Sequence, residues 1–109
     1  MIVNNKPYTN ENGWIDDSLL SNHPKNEIDA VLAWIEKNIE PRKTPLKRFS
    51  SYGLKHVLEY DIRLYLTNNE FKDAMLMAGY EPVNPDELNW HYRISSKSRA
   101  FDRREGVLC

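Results

Sequence analysis

Thr67-Asn-Asn-Glu-Phe-Lys-Asp-Ala-Met-Leu-Met-Ala-Gly-Tyr80 writes out one short helix together with both of its ends. Thr67 and Glu70 have the spacing of a capping box. The threonine oxygen accepts from the amide at 70, and the glutamate reaches back to the amide at 67. Leu66 and Phe71 occupy the two positions of a hydrophobic staple. Phe71, Ala74, Met75 and Ala78 recur at helical spacing and mark one apolar face. Gly79 suits the left-handed residue that ends a helix, after which Tyr80 folds back toward Met75. Glu70 near the amino end also complements the helix dipole.

The flanks extend this unit. Ser50 or Ser51 caps a preceding helix in which Leu54, Val57, Leu58, Ile62 and Tyr65 share one face, widened by Tyr52, Leu64 and Leu66. No breaker separates that apolar run from Thr67. The two helices are therefore expected to abut at 66–67 and meet steeply, as in a helix-turn-helix or a tight helical corner. Downstream, Asn84, Pro85 and Glu87 form a start signal for one or two helical turns. Asn89-Trp-His-Tyr-Arg-Ile94 alternates, with Trp90, Tyr92 and Ile94 on one side, which is a strand signature. A strand needs a partner, and Ile2-Val3 or Tyr8 is expected beside it.

Further toward the amino end, Glu40-Pro-Arg-Lys-Thr-Pro-Leu-Lys-Arg48 reads as a basic connector, because Pro41 and Pro45 forbid a continuous helix. It is expected to be a solvated linker, with a loop for an anion or a partner as the alternative. Asn26 is placed to cap a helix over about 27–39, with Ile28, Val31, Leu32, Ile35 and Ile39 as its apolar stripe and Trp34 at the border. Asp16–Leu20 has room for one helical turn. Residues 1–15 hold the pattern of a short hairpin turning at Asn12-Gly13, with Trp14 and Ile15 covering the core edge.

The fold class expected is α+β, mainly α. Three to four helices would pack in a compact core, with a small hairpin or sheet formed by the amino-terminal segment and strand 89–94. The division expected is one compact domain over 1–98, comprising an acidic segment over 1–40 and a core over 46–98, then a basic, flexible tail over 99–109. At 109 residues there is room for one core. No apolar run approaches the ~18 residues of a membrane span, and the first 20 residues lack the pattern of a leader. The one cysteine, Cys109, allows no disulfide within the chain, which fits a cytoplasmic setting and a monomer or weak dimer.

Net charge is −1, but residues 1–40 hold 3 Lys/Arg against 7 Asp/Glu and residues 41–109 hold 12 against 9. That balance is far from the excess of a dedicated phosphate binder. No cofactor loop, strained nucleophile turn or zinc motif is legible, so no cofactor, metal site or enzymatic activity is expected. His56 and Glu59 stand i, i+3, but a zinc site needs about three or four ligands. Met75 and Met77 hint at an adaptable groove, with Met75 better explained as core. The candidate binding surface is basic and aromatic: Lys55, His56, Arg63, Lys72, Trp90, His91, Arg93, Lys97 and Arg99, joined by Arg103 and Arg104 of the tail. Its alternative is an ordinary solvated, charge-mixed surface.

Ser50-Ser-Tyr-Gly-Leu-Lys-His56, Tyr65-Leu-Thr-Asn-Asn-Glu-Phe71, Ala78-Gly-Tyr80 and Asn89-Trp-His-Tyr-Arg-Ile94 together resemble the core of a group of small proteins carried by phages, prophages and integrative elements. The resemblance covers about residues 46–98. It implies a genomic neighbourhood and brings no catalytic residues with it. Two functions follow as expectations. One is a small interaction protein that binds and modulates or inhibits a host protein, such as a defence nuclease (a CRISPR effector is one instance) or replication machinery. The other is a helix-turn-helix-like nucleic-acid-binding regulator.

Overall fold

The computed structural model describes residues 2–11 and 14–101. The expected Asn12-Gly13 turn, the side chains of Trp14 and Ile15, and the tail residues Arg103, Arg104 and Cys109 lie outside the described residues. In chain order the elements are β1 (Ile2–Val3), β2 (Lys6–Pro7), β3 (Thr9–Glu11), β4 (Trp14–Asp16), a 3₁₀ turn at Leu20–Asn22, α1 (Lys25–Asn38), β5 (Pro41–Leu46), α2 (Ser51–Ile62), α3 (Asn68–Met77), β6 (Tyr92–Ile94) and a second 3₁₀ turn at Arg99–Phe101. The class is α+β and mainly α, as the sequence implies. No helix among the described residues is long and apolar enough to cross a membrane.

α3 forms as its sequence dictates. The Thr67 hydroxyl accepts from the Glu70 amide at 3.1 Å, and the Glu70 carboxylate accepts from the Thr67 amide at 2.9 Å. At the other end Gly79 has φ +95°, the Gly79 amide reaches the Leu76 carbonyl at 3.0 Å, and the Tyr80 amide reaches Met75 at 2.8 Å. That pair of bonds is a Schellman closure.

The core gathers around α3. Phe71, Ala74 and Met75 pack with Val31, Trp34 and Ile35 of α1 and with Leu54, Val57 and Leu58 of α2. Trp90, Tyr92 and Ile94 are fully buried, while Arg93 between them is exposed, so the alternation read in that stretch holds. Phe101 stacks on Phe49 with ring centroids 4.4 Å apart, drawing the last described turn onto the start of α2.

Five sequence expectations are corrected. First, β6 does not pair with the amino terminus. It pairs antiparallel with β5, Pro41 opposite Ile94 and Leu46 opposite Tyr92, with an irregularity between. The stretch expected to be a solvated connector is thus an edge strand, where prolines are tolerated because one side needs no ladder bonds. Arg42 folds over the irregularity and donates to the Thr44 and Pro45 carbonyls at 2.9 and 2.7 Å. The amino terminus instead makes two hairpins of its own, β1–β2 and β3–β4. Asn4 and Asn5, at φ 54° and 65°, supply the two positive dihedrals that a tight two-residue hairpin turn needs.

Second, α2 and α3 do not abut. α2 stops at Ile62, and Arg63 takes the left-handed conformation at φ 56°. An extended link through Leu64, Tyr65 and Leu66 then leads to Thr67. Glu59 holds this link by accepting from the Leu66 amide at 2.9 Å. Third, α1 starts at Lys25 rather than near 27, and its cap is Pro24, not Asn26. The Pro24 carbonyl accepts from the amides of Glu27 and Ile28 at 3.0 and 3.1 Å. The one-or-two-turn helix expected near 84–88 is a turn, in which the Asn84 side chain accepts from the Asp86 amide at 3.0 Å. The turn expected over Asp16–Leu20 falls at Leu20–Asn22.

The Tyr92 hydroxyl is buried with no hydrogen-bond partner among the described residues, and burial pushes its pKa well up. A buried unsatisfied hydroxyl costs about 1–3 kcal/mol. Tyr92→Phe is therefore expected to raise stability by about 1 kcal/mol, read as a higher midpoint at unchanged slope in urea unfolding.

Candidate functional site

The first turns of α3 are polar and yet buried. Asn68, Asn69, Glu70 and Lys72 all lie inside, which is tolerable only if their groups are hydrogen-bonded. The Asn68 carbonyl oxygen accepts from the Ser51 hydroxyl at 2.9 Å, and its amide donates to the Leu88 carbonyl and to Asn89. The Ser51 hydroxyl in turn accepts from the Trp90 amide at 3.0 Å. Asn69 accepts from the Thr9 hydroxyl at 3.1 Å and donates to the Ser18 carbonyl at 2.6 Å. Thr67 and Ser18 hydroxyls meet at 2.8 Å, and Asp73 accepts from the Leu20 amide at 2.9 Å. One helix end thereby fixes β3, the segment after β4, the start of α2 and the segment before β6.

His23 joins the same cluster from the segment ahead of α1. Its Nδ1 lies 2.8 Å from Glu27 and its Nε2 lies 3.0 Å from Glu70. Two carboxylates on two ring nitrogens favour the imidazolium, so the His23 pKa is raised, chiefly by the bond to Glu27, then against burial by Glu70. A raised folded-state pKa means the stabilisation is fully present below the unfolded value of 6.5 and is lost as pH rises through the folded value. His23→Gln is expected to flatten the stability profile from below pH 6.5 up to neutral and above. Urea midpoints at several pH values would read the change; an unchanged slope would count against the ion pairs.

The candidate basic surface does not stay together, and three of its members are not at the surface. Lys72 is fully buried: its amino group donates to the Thr9 hydroxyl at 2.9 Å and lies 4.7 Å from the centroid of the buried Trp90 ring. Lys55 is also buried, its amino group 3.2 Å from Glu59 and about equally far from the Tyr52 and Tyr65 rings, at 5.3 and 5.1 Å. The assumption that a lysine stands in solvent fails at both because aromatic faces and oxygens enclose the ammonium groups. His91 is half-buried and pairs with Glu87 at 3.3 Å. Arg93 faces a depression shared with Gly79 and Glu81, whereas Arg99 lies in another with Trp34 and Asp61. Lys97 is exposed. Met75 is core, and Met77 is 48% exposed.

His56 and Arg63 are brought together with three tyrosines, of which Tyr52 and Tyr65 were expected on the packed face of α2. Tyr52, His56 and Tyr60 follow one another at i, i+4 and i+8 on α2, with Arg63 a turn further on. Tyr52, Tyr60 and Tyr65 are 49%, 51% and 69% exposed. Each is held. His56 meets the Tyr52 ring edge-on at 4.5 Å, Arg63 lies 5.2 Å from the Tyr60 ring, and Lys55 sits against both Tyr52 and Tyr65. Glu59 ties the group together: it accepts from Lys55 and from the Leu66 amide, and lies 3.2 Å from His56. The aromatic side chains Tyr52, His56 and Tyr60 at four-residue spacing are the signal the sequence carries. Among the described residues no three His, Cys, Asp or Glu side chains gather as a metal site would require.

No protein-family model, curated protein or solved structure matches the chain.

Proposed function

We propose that this chain is a non-enzymatic protein-binding module that docks through the tyrosines of α2 and of the link that follows it. The observation that carries the reading is the set of three exposed tyrosines, clamped by Lys55, His56 and Arg63 before any partner arrives. Tyrosine and arginine dominate the binding energy of protein interfaces. Side chains already immobilised lose little further entropy on docking. The resemblance of residues 46–98 to mobile-element proteins makes a host protein, bound and modulated in the cytoplasm, the partner we favour.

The helix-turn-helix reading is weaker. A recognition helix offers its first residues to base edges, whereas Asn68, Asn69, Glu70 and Lys72 are enclosed. Affinity capture from the host with the intact chain, beside Tyr60→Ala and Tyr65→Ala, tests the proposal. A specific protein lost at least tenfold in both variants supports it. Capture unaffected by the variants, or a nucleic-acid gel shift that weakens steeply with salt, overturns it.

A further inference from the structure

A second face of the molecule is apolar in the middle and acidic at the rim. α1 and α3 end side by side, and Tyr80 closes the gap by donating its hydroxyl to the Ile39 carbonyl at 3.2 Å. Two depressions of about 470 and 420 Å³ meet there on Pro41, Ala78 and Tyr80. The larger is floored by Leu32, Ile35 and Ile39 and bordered by the exposed Met77. Methionine at such a border adapts to differently shaped apolar side chains. Glu36 and Glu40 stand on the larger depression and Glu81 on the smaller, all three exposed. Among the described residues none of these carboxylates forms an ion pair. Among the described residues Arg93 is the one cation that lines either depression. The negative field there is felt by Tyr80, whose pKa is raised by burial and then by Glu40.

The geometry points to a docking groove for a basic amphipathic segment of a partner protein, its apolar side chains entering the two depressions and its Lys or Arg side chains meeting Glu36, Glu40 and Glu81. Charge complementarity selects this occupant. An acidic segment or a phosphate would face three unneutralised carboxylates, and a wholly apolar one would leave them unmatched. The groove is formed by the ends of α1 and α3 and the start of β5, so it is separate from the tyrosines of α2 and its link and stands or falls without them.

The test uses the full chain and a fluorescent amphipathic Leu/Lys peptide of about 15 residues, long enough to form a helix when bound, read by anisotropy. Saturable binding that weakens with salt, falls at least tenfold in both Glu36→Lys/Glu81→Lys and Met77→Asp, and persists in Tyr60→Ser supports the inference. All these substitutions are at exposed positions, and circular dichroism confirms that the variants are folded; the milder Glu36→Gln/Glu81→Gln pair should give an intermediate loss. No saturable binding overturns it, as does equal binding of the charge-reversed Leu/Glu peptide or unchanged affinity in the folded variants. Self-association of the chain that Met77→Asp abolishes, with no competition from the peptide, would also overturn it in favour of a second copy as occupant.

Discussion

Trp90→Ala is expected to destabilise the protein by about 3–5 kcal/mol, the range for emptying a large buried aromatic site. Trp90 is fully buried and bound at every side. Its indole N–H donates to the Pro85 carbonyl at 3.0 Å, and its ring meets Tyr92 nearly at right angles with centroids 6.5 Å apart. Its backbone clasps Ser51 twice, accepting from the Ser51 amide at 2.7 Å while donating to the Ser51 hydroxyl. The substitution also removes the aromatic face beside the Lys72 ammonium. For a domain whose whole stability is about 5–15 kcal/mol, a loss of this size leaves little margin. Urea unfolding followed by far-ultraviolet circular dichroism gives the value directly. A change below about 1 kcal/mol, within the range of ordinary surface substitutions, would mean that the aromatic interior is not the keystone described.

Asn69→Leu should have the next largest effect, about 2–4 kcal/mol, and a different distribution. Leucine roughly keeps the volume but offers no amide. The Ser18 carbonyl loses its donor and the Thr9 hydroxyl loses its acceptor, each at about 1–3 kcal/mol for a buried group. Both groups belong to the amino-terminal hairpins and the segment that follows them. Native-state hydrogen exchange is therefore expected to accelerate most over residues 2–20, with α1, α2 and the body of α3 still protected. Uniform acceleration across the chain would contradict the account of the α3 start as the anchor of the hairpins.

α3 was legible because every signal that defines it lies within the helix or at its ends, from the capping pair to Gly79. The alternation of residues 89–94 was legible for the same reason. The partner of that strand was not. Pairing is non-local, and Pro41 and Pro45 made β5 resemble a linker although an edge strand accepts both. The end of α2 was hidden because Ile62, Leu64, Tyr65 and Leu66 continue an apolar run, while the residue that turns left-handed is arginine rather than glycine. Lys55 and Lys72 were misplaced by a sound prior, that lysines are almost never fully buried unless paired. The partners of Lys72, Thr9 and Trp90, come from stretches whose proximity only the folded chain reveals, whereas Lys55 has Tyr52 and Glu59 beside it on the same helix and gains Tyr65 from the link beyond. The exposed tyrosines were misread too: Tyr52 and Tyr65 were expected on the packed face of α2, yet both stand out from it.

The long reach of the α3 bonds bears on how the chain is made. Thr9 is 63 residues ahead of Lys72, and Leu20 is 53 ahead of Asp73. On the ribosome the first strands emerge with nothing to dock on, and at about 5–20 residues per second they wait several seconds before α3 has been translated. Contacts this distant also slow the final collapse. The stretch from Thr9 to Leu20 thus completes its bonds only after α3 has emerged.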